Sequence, residues 1–150
     1  MVMAQNKIGE LIVLERKNIL SDYIATGIQI DGLVSSEFLI NVFIPNTPLH
    51  DGAAIIRGNR MISAGCLLPL TDDRTLSKEL GTRHRAAIGI TEQSDAIVLV
   101  VSEETGTISI ARGGRLTRHL DSEKLKQNLK PLFATRPTNI MDWFNWRHSK

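Results

Sequence analysis

Two short stretches hold residue types that can do chemistry together: Pro48-Leu49-His50-Asp51-Gly52-Ala53 and Gly81-Thr82-Arg83-His84-Arg85. The first joins a carboxylate and an imidazole to a glycine, in a loop bounded by Pro48 and Gly52. Carboxylate oxygen and imidazole nitrogen are both ligands for a divalent metal. A lone Asp-Gly is otherwise only a turn. The second stretch puts Arg83, His84 and Arg85 behind a Gly-Thr step. Thr82 reads as the N-cap of a helix whose free amides and partial positive charge suit phosphate. Arg83 and Arg85 can add forked hydrogen bonds to phosphate oxygens, whereas His84 reads equally well as a core-facing residue. A third stretch, Ser102-Glu103-Glu104-Thr105-Gly106, follows the most apolar segment of the chain. Its adjacent carboxylates repel each other unless a cation compensates, and a metal between Asp51 and Glu103 or Glu104 would do so. A site that needs metal and phosphate together is a nucleotide site.

The elements that position these residues follow from periodicity. Residues 9–14 and 96–102 read as buried strands. A short helix is expected over 18–26, ended by Gly27, and a strand over 28–31. Ser35 or Ser36 caps a helix with Phe38, Leu39, Val42 and Phe43 on one face. Pro45 and Pro48 stop that helix and stiffen the loop carrying His50 and Asp51. Residues 53–56 and 61–68 flank Gly58-Asn59 as a hairpin. A helix is expected from Thr82 to about Thr91. Residues 108–111 form a strand, and Arg112-Gly113-Gly114-Arg115 a second hairpin turn. Asp121 or Ser122 caps a last helix with Leu125, Leu129, Leu132 and Phe133 on one face. The order predicts an α/β fold, a mixed central sheet flanked by helices. Strand order does not follow from it.

Composition sets outer limits. One domain is expected at 150 residues. Eighteen basic and 16 acidic residues, a net charge of +2, argue against long nucleic acid as a partner. The single cysteine, Cys66, excludes an internal disulfide framework, fits a reducing compartment and lies in an apolar run that makes it core filler. The longest aliphatic run, 96–101, is far short of the roughly 18 residues of a membrane helix. Ile140-Met141-Asp142-Trp143-Phe144-Asn145-Trp146 holds both tryptophans and reads as a packed terminal turn or an interaction surface. There is no P-loop, dinucleotide fingerprint, nucleophile elbow or paired-cysteine zinc spacing.

Asp51-Gly52-Ala53, Arg83-His84-Arg85 and Ser102-Glu103-Glu104-Thr105-Gly106, with Asn46 to His50 and Glu79 to Thr82 around them, resemble the diadenylate cyclase domain in its membrane-anchored CdaA-type branch. The resemblance runs from about Ile8 to Leu120. It implies a catalytic domain over residues 1–135 and an aromatic tail over 136–150. It also implies that two ATP molecules become cyclic di-AMP and two pyrophosphates. Each 3′-hydroxyl attacks the other ATP's α-phosphate across a face-to-face homodimer. An ordinary carboxylate is a weak base for a ribose hydroxyl, so a Mn²⁺ or Mg²⁺ ion is expected to help.

By resemblance, Asp51, Gly52 and Arg83 are catalytic, with Asp51 activating the 3′-hydroxyl and Gly52 letting backbone approach the ribose. His50, Asp51 and Glu104 would hold the metal. Ala53, Leu67, Leu68, Gly81, Thr82, Arg83, His84, Arg85, Ser102 and Glu103 would bind substrate, with His84 and Arg85 chiefly shaping the loop. Leu67 stands where relatives stack an aromatic residue on adenine. The anchored branch carries transmembrane helices before this domain, so the chain is expected to be a soluble piece of a longer protein at the cytoplasmic face of a membrane. A membrane regulator and phosphoglucosamine mutase are partners that the resemblance implies. Two other readings compete: a catalytically silent adenine-nucleotide sensor, and a His-Asp phosphohydrolase, whose further helical His and Asp residues are missing.

Overall fold

The computed structural model describes residues 8–130 apart from residue 79. The expected Leu132 and Phe133 of the last helix, and the aromatic tail, lie outside the described residues. Among the described residues the order is β1 (Glu10–Glu15), α1 (Ser21–Ile24), β2 (Ile28–Leu33), α2 (Ser36–Val42), β3 (Ala53–Arg57), β4 (Arg60–Cys66), α3 (Thr82–Gln93), β5 (Ile97–Val101), β6 (Ile108–Arg112), β7 (Arg115–Thr117) and α4 (Ser122–Leu129).

The seven strands form one sheet in the order β2-β4-β3-β1-β5-β6-β7. Only β1 and β3 run parallel; the other neighbours are antiparallel. The sheet is therefore mixed, as expected. β1 is buried along its whole length because strands flank it and helices cover both faces. On one face Ile12, Leu14, Leu99 and Val101 pack with Leu39, Val42 and Phe43 of the α2 region and with Leu125 and Leu129 of α4. On the other, Leu11, Val13, Val98 and Val100 pack with Ala86, Ala87 and Ile90 of α3. Alternation along each strand assigns side chains to the two cores.

Ser35 and Asp121 are the side chains that cap α2 and α4, accepting from Phe38 N at 3.1 Å and Lys124 N at 2.8 Å. The helix expected over 18–26 is a single turn. Asn18 is held instead by Asp95, whose carboxylate accepts from the Lys17 and Asn18 amides at 3.0 and 2.9 Å, and Leu20 N donates to Glu15. Gly27 packs so close to β4 that a Cβ there would lie 2.5 Å from both Ala64 O and Cys66 Sγ. Cys66 is buried, as expected of core filler, and burial pushes its thiol pKa up.

Register places the candidate segments. Leu11 lies beside Val100 and Ile12 beside Ala54, while Ala53 faces Cys66. The starts of β1 and β3 and the ends of β4 and β5 therefore share one edge of the sheet. The 48–52 loop, Leu67-Leu68 and the 102–106 loop all emerge there.

Candidate active site

The 48–52 loop is shaped by its own backbone. The His50 amide donates to Thr47 O at 3.4 Å, and His50 Nδ1 lies 2.6 Å from the same carbonyl. A carbonyl only accepts, so Nδ1 carries the proton, and in the neutral tautomer this leaves the lone pair on Nε2. That arrangement is usual for a metal-binding histidine. Gly52 has φ +106, and a Cβ on it would sit 2.6 Å from Cys66 O and 2.9 Å from Gly65 C. Only glycine fits this backbone-on-backbone contact. It holds Asp51 at the end of β4 with its carboxylate exposed and making no side-chain hydrogen bond or ion pair among the described residues. The close approach that Gly52 makes in the structure is thus to β4.

At α3 the structure corrects one expectation. Gly81, not Thr82, is the N-cap: its backbone is extended, no side chain caps the helix, and Arg85 N donates to Gly81 O at 3.1 Å. Thr82 is already helical. The first-turn amides have no acceptor within the helix, so the anion-binding character of this end is retained. Arg83 lies across the start of β1, against Gly9, and its Nη1 is 3.5 Å from a Glu103 carboxylate oxygen. His84 is buried, and its Nε2 has no hydrogen-bond partner among the described residues. Burial first, then the Arg118 and Arg83 charges, lower its pKa below the ordinary imidazole value, which keeps the ring neutral. Arg85 turns toward the preceding loop, donating to Ser77 O at 3.4 Å, while its own carbonyl accepts from Thr71 N at 3.1 Å.

The 102–106 loop is closed on itself. Ser102 Oγ accepts from the Glu104 and Thr105 amides at 3.2 and 3.4 Å, and Gly106 N donates to Ser102 O at 2.9 Å. The Ser102 hydroxyl proton remains available to an acceptor. Glu103 is compensated by Arg83; Glu104 is exposed.

Gly81, Thr82, Arg83 and His84 meet Val101, Ser102, Glu103 and Glu104 around an open cleft of about 120 Å³. His50, Asp51, Leu67 and Leu68 lie at the same sheet edge but do not line this cleft. Leu67 is 68% exposed, with its amide tied to Thr26 Oγ1 at 2.8 Å. Among the described residues no three His, Cys, Asp or Glu side chains gather closely enough to hold a metal by themselves, so His50, Asp51 and Glu104 do not form a closed ligand set. Gly9 and Val101 were not anticipated. A glycine at the mouth of a strand was the one available signal for Gly9.

The family profile described as "DisA bacterial checkpoint controller nucleotide-binding" (DAC) matches residues 1–116. The chain belongs to the DAC family. The DAC chain is 51% identical over 150 residues to Cyclic di-AMP synthase CdaA of Bacillus subtilis, covering 99% of this chain and 55% of that protein. It is 52% identical over 145 residues to Diadenylate cyclase of Listeria monocytogenes, covering 94% and 53%. It thus spans about half the length of these curated relatives. Its fold matches the crystal structure of a double mutant of DacA from Staphylococcus aureus with a TM-score of 0.83, at 53% identity and 86% coverage of each chain. A second match, described as a hypothetical membrane spanning protein from Bacillus cereus, has a TM-score of 0.75 at 46% identity, covering 79% of this chain and 58% of that one. No helix among the described residues is long and apolar enough to cross a membrane.

Proposed function

We propose that this DAC chain is the catalytic domain of a diadenylate cyclase, which joins two ATP molecules into cyclic di-AMP and releases two pyrophosphates. The observation that carries the reading is the convergence, at one edge of the sheet, of a helix N-terminus with Arg83, a carboxylate-bearing loop and the exposed Asp51. The names of the curated relatives support it. The triphosphate lies in the cleft against the α3 amides, Thr82 and Arg83, with Ser102 donating its hydroxyl. Gly81 leaves the helix end open, and neutral His84 and loop-bound Arg85 hold the α3 end in shape. The ribose reaches Asp51 and the Gly52-Ala53 backbone, and the base lies on Leu67 and Leu68. Asp51 orients the 3′-hydroxyl and takes its proton as the oxygen attacks the α-phosphate of the other ATP, in line with departing pyrophosphate. Fixed donors aimed at developing negative charge contribute most in such transfers.

The donor set fits Mg²⁺ or Mn²⁺. Asp51 and Glu104 offer carboxylate oxygens and His50 a lone pair on Nε2. A hard cation that keeps one or two protein carboxylates and completes its shell with phosphate oxygens and water does not need a closed three-residue cluster. When bound, it lowers the pKa of the attacking hydroxyl and neutralises phosphate charge.

One ATP on one chain cannot supply both the nucleophile and the α-phosphate of the second bond, so two DAC chains must face each other. The parent protein would do this at the cytoplasmic side of a membrane, where ATP is available. The deciding experiment is incubation of the purified chain with ATP and Mn²⁺ or Mg²⁺, with products resolved by mass. Cyclic di-AMP is expected; bound ATP without product would mean a sensor, and ADP with phosphate a hydrolase.

Two further outcomes are expected. Specific activity rises with enzyme concentration through the range in which light scattering detects dimer dissociation; a flat profile across that range contradicts the two-chain reaction. Leu67→Tyr tightens binding of a non-reacting ATP analogue about 2- to 10-fold, because an aromatic face adds stacking of roughly 0.5–1.5 kcal/mol. Unchanged affinity by calorimetry would mean that the base lies elsewhere.

A further inference from the structure

We infer that Gly9 is a positioning residue for the reaction: the absence of a side chain there lets the Arg83 guanidinium lie across the start of β1 and face the phosphate cleft. Gly9 is buried, one residue before β1, and is 74 positions away from Arg83 in sequence. A Cβ built on Gly9 would lie 2.7 Å from both Cζ and Nη1 of Arg83 and 3.1 Å from Nε. Three guanidinium atoms at such distances mean that the group rests on the Gly9 backbone. On its other side Nη1 meets Glu103 at 3.5 Å, and the Arg83 side chain is only 24% exposed. Glycine below and carboxylate beside it define one place for a long side chain that could otherwise adopt many rotamers. Losing that freedom before substrate arrives is preorganisation.

The nature of the clash sharpens the inference. Gly9 does not have a left-handed backbone, so alanine meets no conformational penalty. The three nearest atoms an added methyl would meet belong to the far end of a flexible side chain, not to the strands. The arginine gives way rather than the fold. At Gly52 the reverse holds: the nearest neighbours of an added Cβ are backbone atoms of β4, which cannot give way as a side chain can.

The inference rests on the cyclase reading for its effect on rate, but its geometric core does not. The test is Gly9→Ala, alone and combined with Arg83→Ala. A crystal structure of Gly9→Ala without nucleotide is expected to show the guanidinium displaced from the start of β1 with the strands unmoved. A guanidinium still seated over residue 9 overturns the inference. Thermal unfolding of Gly9→Ala is expected near the wild-type midpoint, with cyclic di-AMP formation reduced about 10- to 100-fold, the scale of a misplaced positioning group. The second measurement is affinity for a non-reacting ATP analogue, compared in the two backgrounds. Gly9→Ala should weaken it when Arg83 is present and leave it unchanged in Arg83→Ala. Equal losses in both backgrounds would mean that Gly9 acts on the strand and not through Arg83, which also overturns the inference. Failure of the wild-type chain to make cyclic di-AMP would remove the cyclase reading alone, because the crystal structure still decides where the guanidinium lies.

Discussion

Asp51→Asn is expected to lower cyclic di-AMP formation by about 10²–10⁴-fold, the range for loss of a positioned acid or base, without measurable loss of stability. The two halves of this expectation have separate causes. Asparagine has almost the same shape as aspartate but carries no charge, so it can neither accept the 3′-hydroxyl proton nor hold a cation as strongly. The loop does not use the carboxylate to fold. It is held by His50 against Thr47 O and by Gly52 against Cys66 O, and Asp51 itself is exposed. Unfolding by heat and product formation from ATP with Mn²⁺ should therefore separate cleanly. A variant that keeps wild-type turnover would remove Asp51 from the mechanism. A variant whose unfolding midpoint falls along with its activity would assign Asp51 a structural role.

What could be read from the sequence depended on whether the deciding interaction was local. The strands over residues 10–15 and 97–101 are built on the continuous apolar runs 11–14 and 97–101, the caps Ser35 and Asp121 act within three residues, and the Gly58-Asn59 and Gly113-Gly114 turns join adjacent strands. Each was legible because its cause lies within one element. The motif residues of the candidate site were legible for the same reason, as short runs of chemically suited types.

Apart from the N-cap of α3, the errors arise from partners far apart in sequence. The 18–26 helix shrank to Ser21–Ile24 because Asp95 captures the amides of Lys17 and Asn18 across more than 70 residues. Thr82 lost the cap position to Gly81, whose extended backbone carries the chain into the helix. The meeting of α3 with the 102–106 loop depends on β5 lying beside β1, a strand order that periodicity does not contain. The seat of Arg83 on Gly9 is invisible for the same reason.

Gly52→Ala should lose both activity and stability, which distinguishes it from Asp51→Asn one residue away. At φ +106 a non-glycine residue is strained by about 1–3 kcal/mol. The new methyl also meets Cys66 O at 2.6 Å and Gly65 C at 2.9 Å. These atoms cannot rotate aside, because Cys66 pairs with Ala53 in the sheet. Either the end of β4 shifts or the loop lifts away, and overpacking of this kind adds roughly 1–3 kcal/mol. The sum, about 2–6 kcal/mol, corresponds to an unfolding midpoint lowered by roughly 4–20 °C in a chain of this size. Either movement also carries Asp51 away from its position, so product formation should fall by about 10²-fold or more. Gly58→Ala is the matched control. Gly58 also has positive φ, +63, but lies in the β3–β4 turn at the opposite edge of the sheet, with nothing within 4 Å of an added Cβ. It should cost about 1 kcal/mol in stability and nothing in turnover. Gly52→Ala with wild-type stability would show that the loop can rebuild itself around a side chain. Equal losses of activity in both variants would show that general destabilisation, not the placing of Asp51, sets the rate.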